Sequence, residues 1–211
     1  MRARGRTFLA LGLAVAAGVS VGDAAWIWGK ARLAQVLLAV AWQQARAGEG
    51  AARPWPWADT WPVARLDAPG GESLLVLAGA SGRTLAFGPG HVTGTALPGT
   101  AGNAVLVGHR DTHFALLRRL APGERLVVER PDGVRLAYRV VETTIVDERD
   151  LTPLAAAVRP TLTLVTCWPF DALVPGGPLR YVVRAEAPEA VETARRSRTL
   201  PKGRRRSAAT S

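Results

Sequence analysis

The chain has 211 residues, with 27 Lys+Arg against 17 Asp+Glu and a formal net charge of +10. A hydrophobic fraction of 48% with 22 Gly and 15 Pro is too apolar for a disordered chain and too rich in breakers for an all-helical one. A single cysteine, Cys167, excludes a disulfide framework and any cysteine-rich zinc site.

The charge alone would suggest nucleic acid or an anionic surface as partner, but its position decides otherwise. Arg2, Arg4 and Arg6 at one end, and Arg195, Arg196, Arg198, Lys202, Arg204, Arg205 and Arg206 at the other, account for the whole excess. The body between them is neutral, and no nucleic-acid partner is expected.

Residues 1–6 form a basic stub. Residues 7–28 read TFLALGLAVAAGVSVGDAAWIW with Asp23 as the only ionisable side chain; as a helix they span about 33 Å, enough for a hydrocarbon core of about 30 Å. This predicts a single transmembrane helix. The arginines ahead of it keep the N-terminus cytoplasmic and place the rest outside the inner membrane, on the periplasmic or extracytoplasmic side. A cleaved signal peptide is the other reading and gives the same sidedness. Residues 29–53 are expected to form a juxtamembrane helix and linker, with Leu33, Val36, Leu37, Val40 and Ala41 at helical spacing. Pro54, Pro56 and Pro62 forbid its continuation and mark entry into the folded part.

Residues 54–187 read as one mainly β domain. Runs rich in Val, Leu, Thr and Tyr predict strands at 73–78, 104–109, 125–130, 135–146, 161–166 and 179–185. Pro122-Gly123, Pro131-Asp132-Gly133 and Pro175-Gly176-Gly177-Pro178 supply turns, the second of them a hairpin signal. Many short strands with one or two brief helices predict a small closed barrel. Residues 188–211 lack an apolar pattern and are expected to be a disordered basic tail.

Cys167 follows an alternating run that stops at Trp168-Pro169; proline removes a backbone donor, so the thiol belongs at a strand end. A free cysteine is by default a small buried hydrophobe. It becomes a nucleophile when a neighbouring base or cation favours the thiolate. His109 closes the strand of Ala104 to Gly108, and Arg180 opens another after a Pro/Gly turn. Cysteine, histidine and arginine at three strand termini can supply nucleophile, general acid/base and oxyanion donor. His91 is open to two readings, lining a groove or stabilising a turn, and His113 lies beyond the Gly-His pair. Asp147, Glu148 and Asp150 flank Arg149 as a solvated turn, so neither metal nor cofactor is expected.

Thr163-Leu164-Val165-Thr166-Cys167 matches the Thr-Leu-x-Thr-Cys signature of sortases, the membrane-anchored cysteine transpeptidases. Gly88 to His91, Thr95 to Gly99 and Gly102-Asn103 to Phe114 resemble that family's histidine region. Pro169 to Tyr181 resembles its arginine region, in the form associated with the Gram-negative subgroup. The resemblance implies a sortase-like β-barrel with Cys167 as nucleophile, His109 as general acid/base and Arg180 as the residue that orients substrate and stabilises the tetrahedral intermediate. It also places His91 and Thr166 in the substrate groove. The implied reaction is attack on the Thr-Gly amide of a Leu-Pro-x-Thr-Gly-like signal at the C-terminal end of a protein substrate, followed by resolution of the thioester by an amine. An extracytoplasmic cysteine hydrolase using the same trio and a non-catalytic, membrane-tethered binding domain are the rival readings.

Overall fold

The computed structural model describes residues 2–174 and 176–188; of residues 2–17 and Ala24 it describes the backbone only. Of the tail expected at residues 188–211, all but Pro188 lies outside the described residues.

The first element is a single helix, α1 (Arg2–Arg46), with no break where an anchor was expected to hand over to a separate juxtamembrane helix. Gly29 alone does not interrupt it, and the first proline comes only at Pro54. The predicted span at 7–28 falls largely on side chains outside the described residues, and among the described residues no helix is long and apolar enough to cross a membrane. At its other end α1 packs on the folded domain through Ala34, Leu38, Ala41, Trp42 and Ala45, all buried. Three alanines let the helix approach closely around Leu38 and Trp42. Leu33, Val36 and Val40, at the same helical spacing, do not join this contact and are exposed.

Eight strands follow: β1 (Pro62–Asp67), β2 (Ser73–Ala78), β3 (Gly90–His91), β4 (Asn103–Val107), β5 (Arg125–Glu129), β6 (Arg135–Asp147), β7 (Thr161–Trp168) and β8 (Leu179–Glu186). They close into a barrel in the order β1-β2-β3-β4-β7-β8-β6-β5, as the run of short strands predicts. Two strands escaped the sequence reading. β1 alternates buried and half-buried, but its small Ala64 and charged Arg65 hide the pattern. β3 is only Gly90 and His91, defined by its pairing with β2 and β4. One four-residue helix, α2 (Gly82–Leu85), is N-capped by Ser81, whose hydroxyl accepts from the Thr84 amide.

The β5–β6 hairpin turns as its sequence predicts. Gly133 takes φ +82°, a left-handed conformation that suits glycine, and the Asp132 carboxylate accepts from the Val134 amide at 3.2 Å. Inside the barrel, Leu66, Leu106, Leu126, Leu162 and Leu164 are fully buried with Phe114 and Tyr138, each such side chain contributing about 1.5–3 kcal/mol by leaving water. Alternation then fixes the outer face: with Leu162 and Leu164 inside, Thr161, Thr163, Val165 and Cys167 point outward.

Candidate active site

β4 and β7 run parallel, with Val107 opposite Val165. The Gly108 amide continues that ladder by donating to the Val165 carbonyl at 3.2 Å. His109 and Cys167 therefore lie two residues beyond the same paired position, on neighbouring strands. Cys167 is partly exposed and is the next-to-last residue of β7, not a residue beyond its end; His109 is exposed just after β4. Arg180 is the direct cross-strand partner of Cys167 in the antiparallel β7–β8 pair, so the two side chains leave the same face. The fold brings Cys167, His109 and Arg180 to one rim of the barrel.

Local packing holds that rim. A Cβ on Gly108 would stand 2.8 Å from the Phe114 ring, so the residue before His109 must be small for Phe114 to fill the core beneath it. Both Thr112 and Phe114 donate backbone N–H to the His109 carbonyl, which closes a tight turn around the histidine. Thr166 is buried, and its hydroxyl donates to the Gly108 carbonyl at 2.7 Å. Its side chain ties β7 to the His109 segment from the core side, on the face away from Cys167.

Arg180 is already engaged. Its Nη1 donates to the Gly177 and Leu179 carbonyls, and its Nη2 to a Glu148 carboxylate oxygen at 2.6 Å. Glu148, expected as part of a solvated turn, is thus the partner of the rim arginine. Asp147 and Asp150 do make the turn, accepting from the Arg149 and Thr152 amides.

His91 is not brought to this rim. It stands opposite Leu106, on the core side of β4, and is buried; its Nε2 lies 2.8 Å from the Ala96 carbonyl and 3.0 Å from the Thr95 hydroxyl. Because a carbonyl only accepts, Nε2 carries the hydrogen, and the ring holds the 91–96 turn. His113 is half-buried near His109. Burial first, and the neighbouring His109 charge second, hold it below the usual imidazole range.

A groove of about 420 Å³ lies on the outer face of β4, β7, β8 and β6. Thr161, Thr163, Val182 and Arg184 form its floor, and the segment around Pro153 and Ala155 overhangs it. Asn103 fixes that overhang, donating to both the Pro153 and Ala155 carbonyls at 2.9 Å while accepting from Thr163. Following period two along β7, the floor leads from Thr163 through Val165 to Cys167. Asn103 and Glu148 escaped the sequence reading as site residues. Both act on segments remote in sequence, and nothing local marks them.

Comparison with known proteins identifies the family. The family model described as "Sortase domain" matches residues 66–188. The chain belongs to the sortase family. It is 33% identical over 111 residues to Sortase D of Bacillus subtilis (strain 168), a match covering 52% of this chain and 55% of that protein. It thus spans about half the length of the curated relative it matches. Sortase A from Corynebacterium diphtheriae superposes with a TM-score of 0.56 at 27% identity, covering 65% of each chain. Sortase C-1 from Actinomyces oris superposes with a TM-score of 0.54 at 33% identity, covering 61% of this chain and 75% of its own. The sortase match includes Cys167, His109, Arg180, His91 and Thr166, and leaves α1 outside.

Proposed function

We propose that the chain is a cysteine transpeptidase that cleaves a Leu-Pro-x-Thr-Gly-like sorting signal and passes the acyl group to an amine. The observation that carries this reading is the placing of Cys167, His109 and Arg180 at one rim by the β4–β7 and β7–β8 registers, on the same outer face of β7 as the groove floored by Thr161 and Thr163. The signal lies along the outer face of β7 and brings its Thr-Gly amide to the rim. The Cys167 thiolate adds to the threonine carbonyl carbon, and the oxyanion so formed is met by the Arg180 guanidinium. The C–N bond breaks as His109 protonates the departing amine, leaving a thioester. A second amine then attacks that carbonyl and loses its proton to His109; the C–S bond breaks and the thiolate is restored. Arg180 reaches the oxyanion from a position fixed by Glu148, which accepts from Nη2.

α1 is proposed as the anchor. Its exposed Val19, Val21, Trp26, Ile27 and Trp28 offer apolar and indole surface. The Lys30 ammonium and the Arg32 guanidinium lie 5.3 and 4.9 Å from the Trp26 and Trp28 rings, the pairing of aromatic and cation found where a helix leaves a bilayer. The stub at 1–6 then lies on the cytoplasmic side of the inner membrane, and the barrel works on the periplasmic or extracytoplasmic side.

The test is to incubate the full chain in detergent with a panel of sorting peptides and an amine. A mass increase on Cys167 equal to the acyl part, discharged as amide product, is expected. Free acid alone, even at saturating amine, would establish a hydrolase; no adduct with any peptide would remove the acyl-transfer reading.

A further inference from the structure

Beside the proposed catalytic rim, and separate from the outer-face groove, lies a second cavity of about 670 Å³. It is walled by the start of β2, by the segment from Arg110 to Arg119 and by Phe170. Five buried side-chain nitrogen or oxygen atoms among the described residues lack a hydrogen-bond partner, and three of them belong to residues lining this one cavity: Arg110 Nη1, His113 Nδ1 and Glu72 Oε2. Buried polar atoms are normally satisfied, so three unpartnered ones on residues in the walls of one cavity leave bonding capacity there for a ligand to complete.

The charges say which ligand. Arg110 is only 8% exposed. Its Nη2 donates to the Ala172 and Val174 carbonyls at 3.0 and 2.8 Å, and among the described residues no carboxylate pairs with it. A buried guanidinium without a counter-charge is costly, and an incoming carboxylate relieves that cost. Glu72 differs: Arg119 holds its Oε1 at 2.7 Å while Oε2 stays unused. In His113, burial first and His109 second favour the neutral imidazole over the charged one. A simple anion would satisfy Arg110 and leave the Glu72 oxygen bare; a molecule with both a carboxylate and an N–H satisfies the two together.

We propose that this cavity is the acceptor subsite, and that the acceptor is an amine that also carries a carboxylate, held by Arg110 Nη1 with Glu72 Oε2 accepting from one of its N–H groups. The proposal rests on the transpeptidase reading. His109 opens the turn that carries Arg110 and His113, so an acceptor lodged there has its amine next to the base that must take its proton. The acyl half of the reaction arrives along β7 and the amine half from the other side of His109, and neither displaces the other.

The experiment offers the full chain, with a sorting peptide that forms the Cys167 adduct, two acceptor pairs: glycine against glycinamide, and β-alanine against its amide. Rates are compared per unprotonated amine. At least one acid should be transferred roughly tenfold faster than its own amide, the worth of one charge-assisted hydrogen bond. Acetate should suppress transfer to that acid without slowing adduct formation. Ratios near one for both pairs would overturn the proposal, as would a preference that survives in Arg110→Gln. Should that variant fail to fold, because Arg110 also holds the 172–174 loop, the acetate competition decides on the unaltered chain. If no adduct forms, the transpeptidase reading fails first. The subsite is then judged in the Cys167→Ala chain by the NMR shift of the His113 ring, which glycine and not glycinamide should move; equal response to both would sink the subsite as well.

Discussion

Two histidine-bearing turns of this barrel, residues 91–96 and residues 109–114, are the same length and flank the same strand, yet they are built for different ends. In the first, the His91 ring bonds to the Ala96 carbonyl and the Thr95 hydroxyl, and Thr95 in turn donates to the Val92 carbonyl at 2.7 Å. Its polar groups answer one another. In the second, the backbone is just as well tied, through the His109 carbonyl, but the side chains are not: His109 is exposed, and His113 and Arg110 each keep a buried nitrogen without a partner. A histidine in a loop says little by itself. Bonding capacity left over on a rigid turn is what separates a site from a brace.

That contrast can be broken most sharply at Cys167 and His109. Cys167→Ala should abolish the thioester adduct altogether, and His109→Ala should slow acyl transfer by about 10²–10⁴-fold, both with denaturation midpoints close to the parent chain. A large loss of stability in either would move the rim into the class of braces. Arg180→Lys keeps the charge but loses the planar fork; a fall of roughly 10²-fold in kcat/KM is expected, read from steady-state kinetics on one peptide.

Gly108→Ala tests the floor of the second turn. The new methyl meets the Phe114 ring, so overpacking should cost about 1–3 kcal/mol in urea denaturation and lower activity by shifting His109. His91→Ala should do the reverse of the rim variants, costing about 1–2 kcal/mol through the unpaired Ala96 carbonyl and the lost packing while the adduct still forms on Cys167.

The smallest effect is electrostatic. His113 is held below its ordinary range by burial and by His109, so replacing His109 with glutamine should raise the His113 midpoint in an NMR titration; no movement would mean burial alone is responsible. The sign for stability follows from the same shift. A folded state that prefers the neutral imidazole is favoured above the unfolded histidine pKa of about 6.5, and that contribution is lost as pH falls from there through the lowered folded value.

Much of the barrel was legible from side-chain pattern alone: 73–78 is a short run rich in Leu and Val, 161–166 alternates, and Pro131-Asp132-Gly133 names its own turn. β1 and β3 were not legible, since Ala64 and Arg65 carry little strand signal and Gly90-His91 exists only through its neighbours. The meeting of the rim trio was suggested by three strand termini and by the family motifs. What pattern could not show is which atoms there remain free. Arg110 stands next to His109 in sequence and attracts no notice until its burial, its two carbonyl partners and its missing carboxylate are seen together, and Glu148 becomes relevant only through β8.

The unbroken course of α1 has a mechanical consequence. Leu38 and Trp42 lock its C-terminal turns to the barrel, and no proline interrupts the 45 residues, so the helix acts as a keyed shaft in place of a tether. Each residue of a helix advances about 1.5 Å and turns about 100°. Adding or deleting one residue between Trp28 and Ala34 would therefore swing the Cys167 rim to a different compass bearing around the shaft while hardly changing its height, whereas a full turn of added residues would lift it and restore the bearing.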